Sequence, residues 1–129
     1  IVLIANPNQP TGKLLPFDEI EQLAETAQQR SNAIVVIDEA YLEFSSGKSS
    51  LPLVRKYPNL CVLRTFSKAW GLASVRLGYI AADPSVVNQL QKVKTLHDIY
   101  QNDQTNKEEI LDIYRKIRDQ IQDKINLLL

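Results

Sequence analysis

Apolar runs closed by turn residues alternate along the chain with stretches of helical periodicity, which predicts an α/β domain built from βα units. The first run, residues 1–5, reads Ile-Val-Leu-Ile-Ala and is closed by Asn6-Pro7-Asn8-Gln9-Pro10-Thr11-Gly12. Two prolines and a glycine in that stretch exclude regular structure and impose a defined loop. Residues 17–30 follow as an amphipathic helix with Ile20, Leu23, Ala24 and Ala27 on one face. Residues 33–37 form a second strand, apolar throughout and rich in β-branched side chains. Strands covered on both faces look like this, so a parallel sheet is favoured.

A polar loop over 45–50 and a short helix over 51–57, ended by Pro58, lead to a third strand over 60–65 and a fourth over 77–82. Asp83 then reads as an N-cap, with Pro84 at the first position of a helix reaching about Lys94. No internal repeat is visible. Residues 102–106 make a polar break, and Thr105 with Glu108 fits a capping box. Beyond it Ile110, Ile113, Tyr114, Ile117, Ile121, Ile125 and Leu128 mark one stripe of a long helix, with most charges elsewhere. That helix is expected to dock on the sheet; a partner-binding helix is the alternative.

Composition narrows the function classes. A chain of 129 residues with 44% hydrophobic content fits one domain that buries a core. Fifteen basic residues balance 15 acidic ones, so nothing points to nucleic acid or to an anionic membrane surface as a partner. Cys61 has no second cysteine to pair with, and no Cys/His cluster has metal-ligand spacing, so no metal is expected and a reducing cytoplasm is the default. The opening apolar run is too short to span a bilayer and carries no basic region ahead of it. The absence of any methionine points to a fragment, although a processed chain would look the same.

The candidate chemistry sits at the carboxyl ends of the predicted strands, where open α/β sheets bind ligands. Asp38 ends the second strand and is followed by Glu39-Ala40-Tyr41; Lys68 lies just past the third, flanked by Thr65 and Ser67; Arg76 comes shortly after. A pyridoxal 5'-phosphate site makes matching demands. Its ring nitrogen stays protonated only beside a carboxylate, for which Asp38 is the candidate. Its aldehyde is held by a lysine amine that also moves a proton on the substrate carbon, for which Lys68 is the candidate. Its phosphate takes hydroxyl donors and a guanidinium, as Thr65, Ser67 and Arg76 supply. Tyr41 can bond the ring's phenolic oxygen.

Each residue alone has a plainer explanation. A strand-end aspartate is most often a turn former, an isolated lysine a solvated charge, an isolated arginine a rim ion-pair partner, and a tyrosine there strand-edge packing. Their joint order is the informative feature. His97 reads as a surface residue, Cys61 as a core thiol and Trp70 as a packing residue beside the lysine loop. Gly47-Lys48-Ser49-Ser50 has the end of a phosphate-binding loop but lacks its upstream glycine, and that reading is rejected.

Three blocks, Asn6 to Gly12, Val36-Ile-Asp-Glu-Ala-Tyr41 and Arg64-Thr-Phe-Ser-Lys-Ala-Trp-Gly-Leu-Ala-Ser-Val-Arg-Leu-Gly-Tyr79, resemble successive motifs of class I/II, fold-type-I aminotransferases. The third looks most like histidinol-phosphate aminotransferases, and the likeness covers about residues 1–94. The resemblance implies part of a large pyridoxal-phosphate-binding domain: a mostly parallel sheet of about four strands flanked by helices, with the fourth strand antiparallel. Residues 95–129 form a helical segment unlike the family. By resemblance Lys68 is the Schiff-base lysine, Asp38 the partner of the ring nitrogen and Tyr41 that of the phenolic oxygen, while Thr65, Ser67 and Arg76 hold the phosphate. Gln9 stands where the family usually has asparagine, so either Gln9 or Asn8 supplies that amide. The implied reaction is ping-pong transamination between an amino donor and a 2-oxo acid. Glutamate and 2-oxoglutarate form one pair, histidinol phosphate and imidazole-acetol phosphate the other, in a homodimeric cytoplasmic enzyme. A non-catalytic remnant serving as an interaction module, and a related decarboxylase or aminotransferase of other specificity, are the alternatives.

Overall fold

A computed structural model describes residues 1–93, the unit Ile1–Val93. The long helix expected beyond residue 105 lies outside the described residues. Within the unit the order is β1 (Val2–Ala5), α1 (Phe17–Ser31), β2 (Val35–Asp38), β3 (Leu60–Thr65), β4 (Gly78–Ala81) and α2 (Pro84–Val93). Short 3-10 turns occupy Leu42–Phe44, Leu51–Arg55 and Ala73–Val75, so the expected short helix after the polar loop is a single tight turn of that kind. The four strands lie side by side in chain order, β1, β2 and β3 parallel and β4 antiparallel to β3, as the fold expected from the motifs requires.

The α1 helix forms where its apolar spacing repeats every three to four residues, and Ile20, Ala24 and Ala27 are its buried face. Asp18 and Glu19 in the first turn and Arg30 in the last complement the helix dipole. Asn32 adopts the left-handed conformation at φ 49°, and its N–H returns to the Ala27 carbonyl and ends the helix. The Ala33 N–H also bonds Ala27, at 3.2 Å, which is why β2 starts at Val35, later than its apolar run. The core is α1 against Val35, Ile37 and Leu60, closed at one end by Leu53 and Tyr57. Asn59 joins the layers, its amide donating to the carbonyls of Ala24 at 2.9 Å and Ala33 at 3.1 Å.

Alternation along the strands divides the sheet into two faces. Val35, Ile37, Leu60 and Val62 are buried on the α1 side. Ala5, Asp38, Leu63 and Thr65 point to the other side, where Cys61 is buried as expected of a core thiol. Burial on both faces, expected of β2, is partial there, with Val36 and Asp38 half-buried; it holds over Leu60–Val62 of β3 and fails for β1, whose Leu3 is 68% exposed. The reason is topological: β1 is an edge strand, and α1 covers only one of its sides. Asp83 caps α2, its Oδ1 accepting from the Ser85 N–H at 2.9 Å and the Ser85 hydroxyl at 2.6 Å. Parallel pairing brings the carboxyl ends of β1, β2 and β3 to one rim, and the chain leaving each end builds the site.

Candidate active site

The loop after β1 is tied down before it is shaped. Asn6 is buried, its N–H extends the ladder to the Asp38 carbonyl at 2.8 Å, and its side chain holds Leu15 from both sides. The Leu15 N–H donates to Asn6 Oδ1 at 2.8 Å, and Asn6 Nδ2 donates to the Leu15 carbonyl at 3.2 Å. Between these anchors Gly12, at φ +69°, closes the turn with its N–H on the Asn8 carbonyl. The Asn8 amide is spent inside the turn, donating to Thr11 Oγ1 at 2.7 Å. Gln9, exposed at the tip, is the amide that meets Tyr41.

Asp38 ends β2 half-buried, and its Oδ1 accepts the Ala40 N–H at 3.0 Å. This turns the chain, as a strand-end aspartate commonly does, and brings Tyr41 over the same rim. Lys68 enters from the segment after β3, where Gly71, at φ +67°, folds its N–H back to the Lys68 carbonyl at 3.0 Å. The Lys68 ammonium stands 5.3 Å from the centre of the Tyr41 ring. Hydrogen bonding to Lys68, and after it to Gln9, holds the Tyr41 hydroxyl below the ordinary tyrosine range, against smaller opposing effects of burial and of the Asp38 charge. Lys68 and Gln9 thus act on the Tyr41 hydroxyl directly, and Asp38 only through its charge.

Thr65 and Ser67 form a compact turn, with the Ser67 N–H on Thr65 Oγ1 at 3.1 Å and the Thr65 hydroxyl on the Leu77 carbonyl at 3.4 Å. Arg76, next to Leu77, is the residue least engaged with this group. It is exposed, its backbone is left-handed at φ 55°, and its guanidinium folds onto the Ala73 carbonyl at 3.4 Å. Trp70 is half exposed at 50%, with its ring 6.2 Å from that of Phe66. An open depression of about 210 Å³ lies to the loop side of Tyr41, walled by Pro7, Gln9, Pro10, Gly12 and Phe44 among others. Asp38 and Lys68 are not in its walls.

Glu39 and Arg64 were not singled out by spacing, yet they form an ion pair at this rim with the carboxylate fully buried. Glu39 is fully buried, and its carboxylate accepts from the Ser50 N–H at 2.6 Å, the Ser49 hydroxyl at 2.7 Å and Arg64 Nη1 at 2.9 Å. The other Arg64 amine pairs with Glu43. Burial alone would lower the Arg64 value, but the Glu39 bond and the Glu43 charge outweigh it and hold the guanidinium above its usual range. The serines of the Gly47-Lys48-Ser49-Ser50 stretch thus serve a carboxylate, consistent with rejecting a phosphate-binding loop there. Among the described residues no group of acidic, histidine or cysteine side chains could hold a metal ion, and no helix is long and apolar enough to cross a membrane. His97 lies outside the described residues.

The residue chemistry fits pyridoxal phosphate: an exposed amine beside a phenol, an amide and a carboxylate at one rim, with hydroxyl donors on the adjoining turn. Residues 1–97 match the family described as aminotransferase class I and II. A histidinol-phosphate aminotransferase of Streptomyces avermitilis is 50% identical over 94 residues, 73% of this chain and 26% of that protein. The structure of a histidinol-phosphate aminotransferase from Sinorhizobium meliloti, in complex with pyridoxal-5'-phosphate, superposes with a TM-score of 0.65 at 31% identity, over 73% of this chain and 26% of that one. An L-threonine-O-3-phosphate decarboxylase from Porphyromonas gingivalis also gives 0.65, at 28% identity, over 72% of this chain and 28% of that one. The chain spans about a quarter of the length of the curated relatives it matches.

Proposed function

The chain belongs to the aminotransferase class I and II family, and from that premise we propose that the whole protein is a pyridoxal-phosphate-dependent aminotransferase. Its substrate pairs are histidinol phosphate with imidazole-acetol phosphate, and glutamate with 2-oxoglutarate. The reading rests above all on the Lys68 ammonium over the Tyr41 ring, with Gln9 and Asp38 acting on the same hydroxyl. Sequence relatives named histidinol-phosphate aminotransferase support the choice of substrate. Residues 1–94 are then the central part of a cofactor-binding domain. A homodimer and a cytoplasmic location accompany this assignment.

When bound, pyridoxal phosphate supplies an electron sink for the carbon that carries the amino group. Lys68 holds it by its amine and moves a proton at that carbon, for which a lysine standing exposed beside a phenol is suited. Asp38 keeps the ring nitrogen protonated by its charge. Tyr41 and Gln9 would hold the phenolic oxygen, and Thr65, Ser67 and Arg76 would supply hydroxyl and guanidinium donors to the phosphate.

The test is direct. Adding pyridoxal phosphate should produce a visible absorbance band that Lys68→Ala abolishes, and borohydride reduction should leave the pyridoxyl group on the peptide containing Lys68. Label spread over other lysines, or no band at all, would overturn the assignment. The equal TM-score of the decarboxylase supports one competing reading. Supplying the whole protein with histidinol phosphate and 2-oxoglutarate, and separately with O-phosphothreonine, distinguishes glutamate formation from carbon dioxide release.

A further inference from the structure

Glu39 carries the strongest unexplained demand in the described residues. A carboxylate with no exposure is costly to bury unless every lone pair finds a donor. Here the donors come from two separate segments: Ser49 and Ser50 from the loop after Tyr41, and Arg64 from β3. The Glu39 N–H continues the ladder onto the Leu63 carbonyl at 3.0 Å, so the backbone is fixed on one side and the side chain on the other. Successive side chains in extended chain point to opposite faces. Asp38 and Thr65 therefore face one way while Glu39 and Arg64 face the other, where they meet.

We propose that Glu39 and Arg64 are positioning residues: their ion pair, made on the face of the sheet opposite Asp38 and Thr65, sets the direction in which Asp38, Tyr41 and Lys68 are presented. Glu39 stands between Asp38 and Tyr41, and Arg64 lies in β3 next to its last residue, Thr65, from which the chain turns through Ser67 to Lys68. One contact thus ties together both segments that supply the rim. Glu43, on the second Arg64 amine, limits rotation of the guanidinium. Catalytic relevance rests on the cofactor assignment above; the positional claim does not.

The experiment therefore reads two quantities in the 129-residue chain. The first is the Tyr41 phenol titration without cofactor, followed by ultraviolet absorbance and assigned by difference against Tyr41→Phe. The second is the affinity for pyridoxal phosphate. Glu39→Gln and Arg64→Met should move the Tyr41 titration upward as Lys68 and Gln9 lose their alignment, and should weaken cofactor binding on the order of tenfold, the lower end of what removal of supporting contacts costs a bound group. Arg64→Lys, which keeps the charge, should recover part of both. If Glu39→Gln fails to fold, Ser49→Ala removes the hydroxyl that bonds Glu39, Arg64 and the Leu51 N–H without leaving a buried charge unpaired, and should shift both quantities in the same direction by less. Folded variants that keep the wild-type titration and affinity would overturn the proposal. A shifted titration in a chain that never binds pyridoxal phosphate would uphold the positioning pair and sink the cofactor assignment instead.

Discussion

Asn6 and Tyr41 show how little of this rim rests on apolar contact. Asn6 is 1% exposed and holds both backbone groups of Leu15. Asn6→Ala should lower stability by about 1–3 kcal/mol, because the Leu15 N–H loses its acceptor inside the fold. Urea unfolding checks this, and an unchanged midpoint would mean that water replaces the amide freely. Tyr41 gives the pH prediction for the site. Hydrogen bonding to Lys68 stabilises the phenolate, so Tyr41 should ionise at lower pH than ordinary tyrosine, and Lys68→Ala should move that ionisation upward. Ultraviolet difference titration reads the shift; no shift would mean that amine and phenol do not touch. Tyr41 and Lys68 were singled out in the sequence because each sits in a motif with fixed spacing from a strand end, whereas the buried role of Asn6 was not. Neither were Glu39 and Arg64. They lie 25 residues apart, on a face that strand alternation assigns to apolar side chains, and no local pattern pairs a carboxylate with a guanidinium across two strands.

At the scale of elements, apolar runs located all four strands, helical periodicity located α1 and the Asp83-Pro84 cap located α2, and the discrepancies are local. β2 starts late because the residues before it terminate α1, and the segment after Ser50 tightens into a 3-10 turn that places Leu53 and Tyr57 under the helix. Gly78 could not be read from pattern: a β-carbon there would stand 2.8 Å from the Arg64 carbonyl oxygen. Gly78→Ala should cost about 1–3 kcal/mol, since backbone rather than a movable side chain must shift. A urea midpoint equal to wild type would show that β4 has room to move away. The contact between α1 and the Leu53–Tyr57 turn should also respond to pH. Glu21 accepts from Lys56 at 2.6 Å and from the Tyr57 hydroxyl at 3.2 Å, and the Lys56 bond is the main reason its carboxyl lies below the ordinary 4.5. The folded chain thus releases this proton more readily than the unfolded one. The resulting stability is present above that ordinary value and is lost as pH falls through the lowered one. The difference in thermal midpoint between wild type and Lys56→Met should therefore shrink on acidification. A difference that persists in acid would assign the lysine's effect to packing of its stem.

For the whole unit, the open question is how a four-stranded sheet behaves when its first strand is an edge. Val2 and Ile4 pack against the core, but Leu3 is 68% exposed on the side away from α1. Beyond β1 no further strand pairs with it among the described residues, so one side of its backbone offers unsatisfied donors and acceptors. An apolar, β-branched edge of this kind is a template for pairing with another chain. β4, at the opposite edge, has the same four-residue length but carries no exposed large hydrophobic side chain, which leaves β1 as the more apolar template. The chain should therefore self-associate as its concentration rises. Leu3→Lys should suppress that association without altering the fold, because a charge at an exposed edge position opposes pairing and removes no buried contact. Sedimentation across a concentration series, with circular dichroism as the control on folding, tests this. Equal association in both chains would place the sticky surface elsewhere, and a loss of helical signal in the variant would mean that Leu3 is covered in solution.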